Sequence, residues 1–345
     1  MFFYLFKLNE IAENLKQHKF FASEQREAFR KENTNIAEDE ILVVMDFKEN
    51  IRLGGGPIET GNDFYRRQQC SIFGIGVVFY DQVIKQRRLE YIDFFSDILS
   101  HDALFVKDCL NKVLNFYINL RSQSSIKKVH FWNDSGRHFQ CGELTHFLLK
   151  IVPFSFNVQV SWNFFGEHHG KNILDGHFGL LSRTIKNIER RKYIRTIQDL
   201  IVFLQEEFSE INSVRTNKGV KVFFHIYERE SRAKYINILN IKNLCDFYYF
   251  ESFLSNDNIS IRAKVYKNSS QVTENLKVST KRVEDKRTTK RGSEAIEETR
   301  GKKKSFDINC IDNVFGRVVR GRNQRRKELG LSTEQVSSRQ GNLGR

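Results

Sequence analysis

Proline is almost missing from this chain, two in 345 residues, which excludes a proline-rich linker and a collagen-like repeat. The five cysteines, Cys70, Cys109, Cys141, Cys245 and Cys310, are odd in number and include no close pair. Neither a disulfide framework nor a zinc spacing can be read from them, and such usage fits a reducing compartment. No apolar run reaches the length of a membrane span, and the mean hydropathy is −0.49, so no transmembrane helix is expected. Met1–Phe6 is apolar but lacks the basic flank and small-residue cleavage site of a secretory signal, and reads instead as the start of a first helix.

What is present is positive charge and aromatic mass. Lys+Arg number 56 against 42 Asp+Glu, a formal charge of +14, with 13% aromatics and 40% hydrophobic residues. The hydrophobic share excludes a wholly disordered chain, and the length allows a large packed core. The two properties separate along the sequence. From Lys281 to Arg345 there are 18 Lys/Arg and 9 Asp/Glu, +9 of the net +14, but only Phe306 and Phe315 of 31 phenylalanines. So little aromatic content cannot offset the entropy of ordering, so residues 256–345 are expected to form a basic, largely disordered tail. Its runs Lys302–Lys304 and Arg325–Lys327 suit phosphate contacts or a nuclear-localisation signal.

Residues 1–38 are expected to be helical, with Leu8, Ile11 and Leu15 at helical spacing, and residues 39–255 to form the core. Ile41–Asp46, Cys70–Tyr80 and Arg88–Phe95 read as three strands, Leu104–Leu120 as a helix and Lys127–Trp132 as a strand. Glu143–Ile151 reads as a helix, Asn157–Phe165 as a strand and Leu180–Glu207 as one or two basic helices, with late strands at Val220–Tyr227 and Cys245–Phe253. Three meandering strands followed by alternating α and β units predict an α/β fold, a mixed sheet flanked by helices in the ribonuclease H-like order.

The acids stand where such a sheet concentrates chemistry. Asp46 ends the first strand, Asp134 follows the fourth, and Asp175 follows the fifth at the entrance to a helix. Loops and helix termini leave a crevice at strand ends, and three carboxylates converging there require protonation or shared cations. Mg²⁺ or Mn²⁺ is the matching partner, and two ions would serve both oxygens of an in-line phosphoryl displacement.

Around these acids the residues resemble a known group. Asp46-Phe47-Lys48-Glu49-Asn50 is similar to the Asp-Phe-x-Glu-Asn motif of transposon-derived DDE-type proteins. Asn133-Asp134-Ser135-Gly136 resembles their Ser-Asp-Gly block. Trp162–Phe165 and His169-Gly170-Lys171-x-x-x-Asp175-Gly176 resemble their Trp-x-Phe-Phe and His-Gly-Lys-x-x-x-Asp-Gly segments. The resemblance covers roughly residues 15–255. It implies DNA strand cleavage and transfer by two-metal chemistry, with Asp46, Asp134 and Asp175 catalytic and Glu49 a fourth ligand or its neighbour. Glu167 competes with Asp175 for the third place, and His169 and Lys171 are expected on a phosphate. The second block departs from the pattern, reading Asp-Ser-Gly-Arg-His-Phe, and no zinc spacing or helix-turn-helix precedes the core within the first 40 residues.

Other patterns fail. Gly166–Asn172 has three residues between its glycines and asparagine in place of Ser/Thr, so it is not a P-loop, and no nucleotide cofactor is expected. Gly54–Pro57 lacks the strand and helix of a dinucleotide site, His168-His169 lacks partners at zinc spacing, and no Gly-x-Ser-x-Gly elbow occurs. Arg183, Lys186 and Arg190 recur at i, i+3 and i+7 beside Arg191, a face suited to a phosphate backbone. The expectation is a nuclear, DNA-binding transposase-like enzyme acting as a dimer or larger assembly. A catalytically inactive, domesticated derivative is the alternative, and a nuclease without a transfer step a third.

Overall fold

Ile41-Leu42-Val43-Val44-Met45 does not alternate between apolar and polar residues, and all five side chains are buried. A strand with this pattern needs cover on both faces, and the computed structural model places it in the middle of a helix-covered sheet. Described are residues 2–57, 68–121, 125–166, 172–216, 219–229, 235–255, 258–270, 272–273, 276 and 278–285.

The strands are β1 (Glu40–Arg52), β2 (Gln69–Asp81), β3 (Gln86–Ser96), β4 (Lys128–Asn133), β5 (Gln159–Phe164), β6 (Val220–Ile226), β7 (Tyr235–Ile241), β8 (Tyr249–Ser255), β9 (Asn258–Lys264) and β10 (Val278–Glu284). Eight form one sheet in the order β6-β3-β2-β1-β4-β5-β8-β9, while β7 and β10 pair separately. β1, β2 and β3 run antiparallel to one another in sequence, and β1, β4 and β5 run parallel. This is the ribonuclease H-like arrangement that the order of elements predicts, extended at one edge by β6 and at the other by β8 and β9.

Helix α1 (Phe2–Thr34) and helices α4 (Ile173–Glu189) and α5 (Ile197–Thr216) cover one face. The other carries α2 (Ala103–Leu114), prolonged by a π-helical turn Asn115–Arg121, and α3 (Gly142–His146), prolonged through Phe147–Ile151 and Val152–Phe156. Buried Gln25 ties α1 down by donating to the carbonyls of Phe164 and Tyr248, both 2.9 Å away. Helix α4 lies flush on β2 because the strand has glycines beneath it. A β-carbon on Gly74 would stand 2.6 Å from the Phe178 ring, and one on Gly76 2.9 Å from Ile173 Cδ1.

Three expectations need correction. Helix α4 begins at Ile173, not Leu180. Gly176 and Gly179 argue against a helix there, but a capping box and the apolar positions Leu174, Phe178 and Leu181 on its buried face outweigh them. The expected strand Cys245–Phe253 starts only at Tyr249, because Asn243 takes a left-handed conformation (φ 59°) and leads into a tight turn over Leu244–Asp246. The expected core boundary at 255 also falls early. β9 pairs with β8, and β10 pairs with β7, although their lysines and arginines read as the beginning of the tail. Residues 286–345 lie outside the described residues. No helix among the described residues is long and apolar enough to cross a membrane.

Candidate active site

β1 and β4 run parallel with Val44 opposite Trp132. Two residues further along each chain stand Asp46 and Asp134. Asp46 lies inside β1 and not at its end as expected, because pairing with β2 carries the strand on to Arg52, while Asp134 lies just past the end of β4. Asp46 pairs across the sheet with Gly74, and Gly74 with Asp93 on β3.

The turn after β4 is held by its own side chains. Buried Asn133 accepts from the Trp162 indole N–H (2.7 Å) and donates to the Asp134 carbonyl (2.6 Å). Ser135 Oγ donates to the Phe165 carbonyl (2.9 Å), and the Gly136 N–H donates to Asp134 Oδ1 (3.0 Å). These contacts give each residue of the Asn-Asp-Ser-Gly block a place.

The third acid arrives with α4. Asn172 caps the helix by accepting from the Leu174 N–H, and Asp175 Oδ2 accepts from the Asn172 N–H, both at 2.7 Å. The Asn172 side chain also hydrogen-bonds Asp46. Burial, then the charges of Asp134 and Asp175, push the Asp46 carboxyl from its usual 3.8 to about 7, against the opposing pull of hydrogen bonds from Phe47 and Asn172. Asp134 and Asp175 therefore both lie within electrostatic reach of Asp46.

Behind them, His177 Nε2 meets Asp93 Oδ2 at 2.7 Å with both side chains fully buried. The Tyr91 ring stacks on His177 at 4.1 Å, and its hydroxyl donates to the Ile173 carbonyl (3.2 Å). This pair fastens the first turns of α4, and hence Asn172 and Asp175, to the sheet.

Oxygen donors of this kind suit Mg²⁺ or Mn²⁺, so the donor chemistry fits the implied metal. Among the described residues, however, no three His, Cys, Asp or Glu side chains are already gathered as a metal-binding cluster. Asp134 and Asp175 each turn a carboxylate oxygen to a local backbone N–H.

The remaining expected site residues are distributed differently. Glu49 is exposed and lies three residues beyond Asp46, where the β1–β2 register is broken between Lys48 and Ile51. Its charge acts on Lys48. His169, Lys171 and Glu167 lie outside the described residues. Arg183, Lys186 and Arg190 are exposed along α4 on a stripe that begins with Asp175, Gly176 and Gly179. Arg191 is drawn off that stripe to Glu207 (2.7 Å) and the Asn187 carbonyl (3.1 Å).

Asn172 and the Asp93–His177 pair escape sequence reasoning. The Asn-x-x-Asp spacing at 172–175 was the available signal for a helix cap, and the glycines of β2 were the signal for a close-packed helix.

The class these features define is a ribonuclease H-like α/β protein in which acids from the turn after β4 and from α4 act electrostatically on an acid of β1. The chain belongs to the family described as Domain of unknown function (DUF8701), which matches residues 25–266. No curated protein matches it. Among solved structures it is similar to the N. crassa QDE-2 AGO MID-PIWI domains, at 13% identity over 51% of each chain with a TM-score of 0.24. It is also similar to NurA, at 9% identity over 67% of this chain and 49% of that one, TM-score 0.18. A NurA structure bound to dAMP and manganese gives 8% identity over 68% and 50%, TM-score 0.15. The chain spans about half the length of each of these three solved chains.

Proposed function

We propose that this protein is a divalent-metal-dependent phosphoryl-transfer enzyme acting on DNA, of the DDE transposase type. The observation that carries the reading is that Asp134 and Asp175, from two other segments, lie close enough to Asp46 for their charges to raise its carboxyl. Such an arrangement is costly unless a cation offsets it.

Asp46, Asp134 and Asp175 would hold the metal. When bound, Mg²⁺ or Mn²⁺ supplies Lewis-acid polarisation of the phosphate and a more acidic water. The chain's own contribution is positional. Asn172 orients Asp46, the Asn133–Gly136 turn presents Asp134, and the Asp93–His177 pair seats the helix bearing Asp175. Arg183, Lys186 and Arg190 present cations to the phosphates on either side of the reacting one. The order of the motif blocks supports the transposase reading, with a nuclear setting and a dimer or larger assembly as its corollaries.

The local hydrogen bonds of Asp134 and Asp175 favour a second reading, an inactive DNA-binding derivative. Mn²⁺ titration calorimetry on the full chain, wild type against Asp134→Asn, separates the two. About two ions bound and weakened by the substitution supports the enzyme. No binding, with DNA present or absent, supports the derivative. Strand-transfer products on a supercoiled target then distinguish a transposase from a nuclease that only cuts.

A further inference from the structure

We infer that an unpaired nucleobase stacks on His101, beside the three acids. This rests on the nucleic-acid reading above and names which part of the substrate lies on the far side of β1.

The site is a column of rings rising out of the core. Phe73, fully buried, meets the half-buried Phe47 ring at 4.6 Å and 39°. Phe47 in turn lies under His101 at 4.1 Å and 9°, a parallel stack. His101 is the last ring and is half-exposed. His138 stands edge-on to Phe47 at 5.3 Å and 81°. Its Nε2 is buried without a hydrogen-bond partner, 3.8 Å from Asp134 Oδ1. The column thus reaches the surface next to an acid of the site, and Phe47 directly follows Asp46 in sequence.

The outermost ring is held in place. Asp102, its neighbour, caps α2 by accepting from the Phe105 N–H (3.1 Å) and receives both Oδ contacts from Arg229 at 2.8 and 2.9 Å. His101 Nε2 lies 3.2 Å from Asn50 Oδ1. A fixed ring loses little freedom when a ligand stacks on it.

Two features select a base over a phosphate. Burial, and then His138, hold His101 below the usual histidine range, so at neutral pH it presents an uncharged π-face. The cations suited to phosphate stand on the other side of the sheet, on α4. Strand alternation puts Asp46 on the α4 face and Phe47 on the α2 face. A strand whose reacting phosphate lies at Asp46 and Asp134 can therefore lay backbone along α4 and turn one base toward His101. Only an unpaired base offers a free face for this.

The test is equilibrium binding of short single-stranded DNA and RNA to the full chain, by fluorescence anisotropy in EDTA so that no cleavage contributes. His101→Ala is expected to weaken binding by at least about fivefold, the lower range for loss of one base–ring stack, and His101→Trp to restore it. An abasic residue scanned through the oligonucleotide should reproduce the loss at one position in the wild type and cause no further loss in His101→Ala. A loss confined to DNA or to RNA assigns the strand and supports the stack. Unchanged binding in His101→Ala, or abasic losses that add to it, overturns this inference and leaves the acid site untouched. Wild type that binds neither strand overturns the functional reading together with it. Because His101 is half-exposed outside helix and strand, both variants are expected to melt like the wild type.

Discussion

Asp46→Asn tests the heart of the site without touching the backbone. In the folded chain the Asp46 carboxyl titrates at about 7, raised first by burial and then by Asp134 and Asp175; unfolded, it titrates near 3.8. Between those values the folded state keeps a proton that the unfolded state has lost. The unfolding free energy therefore falls as pH rises from about 4 to about 7, and is flat above. At about 1.4 kcal/mol for each pH unit, that interval is worth at most about 4 kcal/mol. Asparagine carries no charge, preserves the shape and still offers Asn172 an acceptor. The variant should exceed the wild type in stability at pH 8 by up to about 4 kcal/mol, or about 8 °C at roughly 2 °C per kcal/mol. The gap should close toward pH 4.

Thermal melts in EDTA across pH 4–8 provide the measurement. Parallel curves for the two proteins, or a variant less stable at pH 8, would refute the placement of the three charges. Mn²⁺ adds a second arm to the same experiment. It should stabilise the wild type at pH 8 and leave Asp46→Asn unmoved. Its affinity should drop about tenfold per pH unit below 7, where proton and metal compete for the same carboxylate.

Gly74→Ala should destabilise by about 1–3 kcal/mol, because the added methyl meets the Phe178 ring at 2.6 Å and overpacks the interface; denaturant unfolding reads the cost. Glu90→Ala should cost about 3–5 kcal/mol by the same assay. It strips the fully buried carboxylate from Arg121 and Tyr117, leaving a guanidinium only 9% exposed without its anion. Replacing Arg183, Lys186 and Arg190 together with glutamine should weaken DNA binding and lower the log–log salt slope by about 2–3, near one for each phosphate contact. An unchanged slope would remove α4 from the DNA path.

Much of this arrangement is legible in the sequence, since apolar runs and strand-end acids are local signals. The order of β1–β5, and Asp134 just past the end of β4, follow from runs such as Ile41–Met45 and Lys127–Trp132, whereas Asp46 lies inside a strand that the sequence reading ended too early. Features set by tertiary contact are not legible. Lys48 and Glu49 look equivalent in the motif until pairing sets Lys48 opposite Ile72 and leaves Glu49 in the irregular stretch before Ile51. Asp93 reads as one more polar residue in β3 until His177, 84 positions later, lies 2.7 Å away. The strands β9 and β10 were hidden for a different reason. Their charge resembles that of the basic segment that follows, while the partners that make them strands lie in β8 and β7.

The two demands on Asp175 are the sharpest constraint on the mechanism. Its Oδ2 completes the α4 capping box, an interaction worth about 1 kcal/mol. The same carboxylate adds to the repulsion that raises Asp46, and that repulsion is part of an effect of up to about 4 kcal/mol. A cation shared by the three acids would relieve that repulsion at the cost of the capping bond. In Asp175→Asn the amide oxygen can still accept from the Asn172 N–H, so the cap survives while one charge is lost. The variant should melt near the wild type at pH 4, exceed it at pH 8 and bind Mn²⁺ more weakly. If it instead loses stability equally at both pH values, Asp175 serves the helix alone, and the third acid must be sought in Glu167.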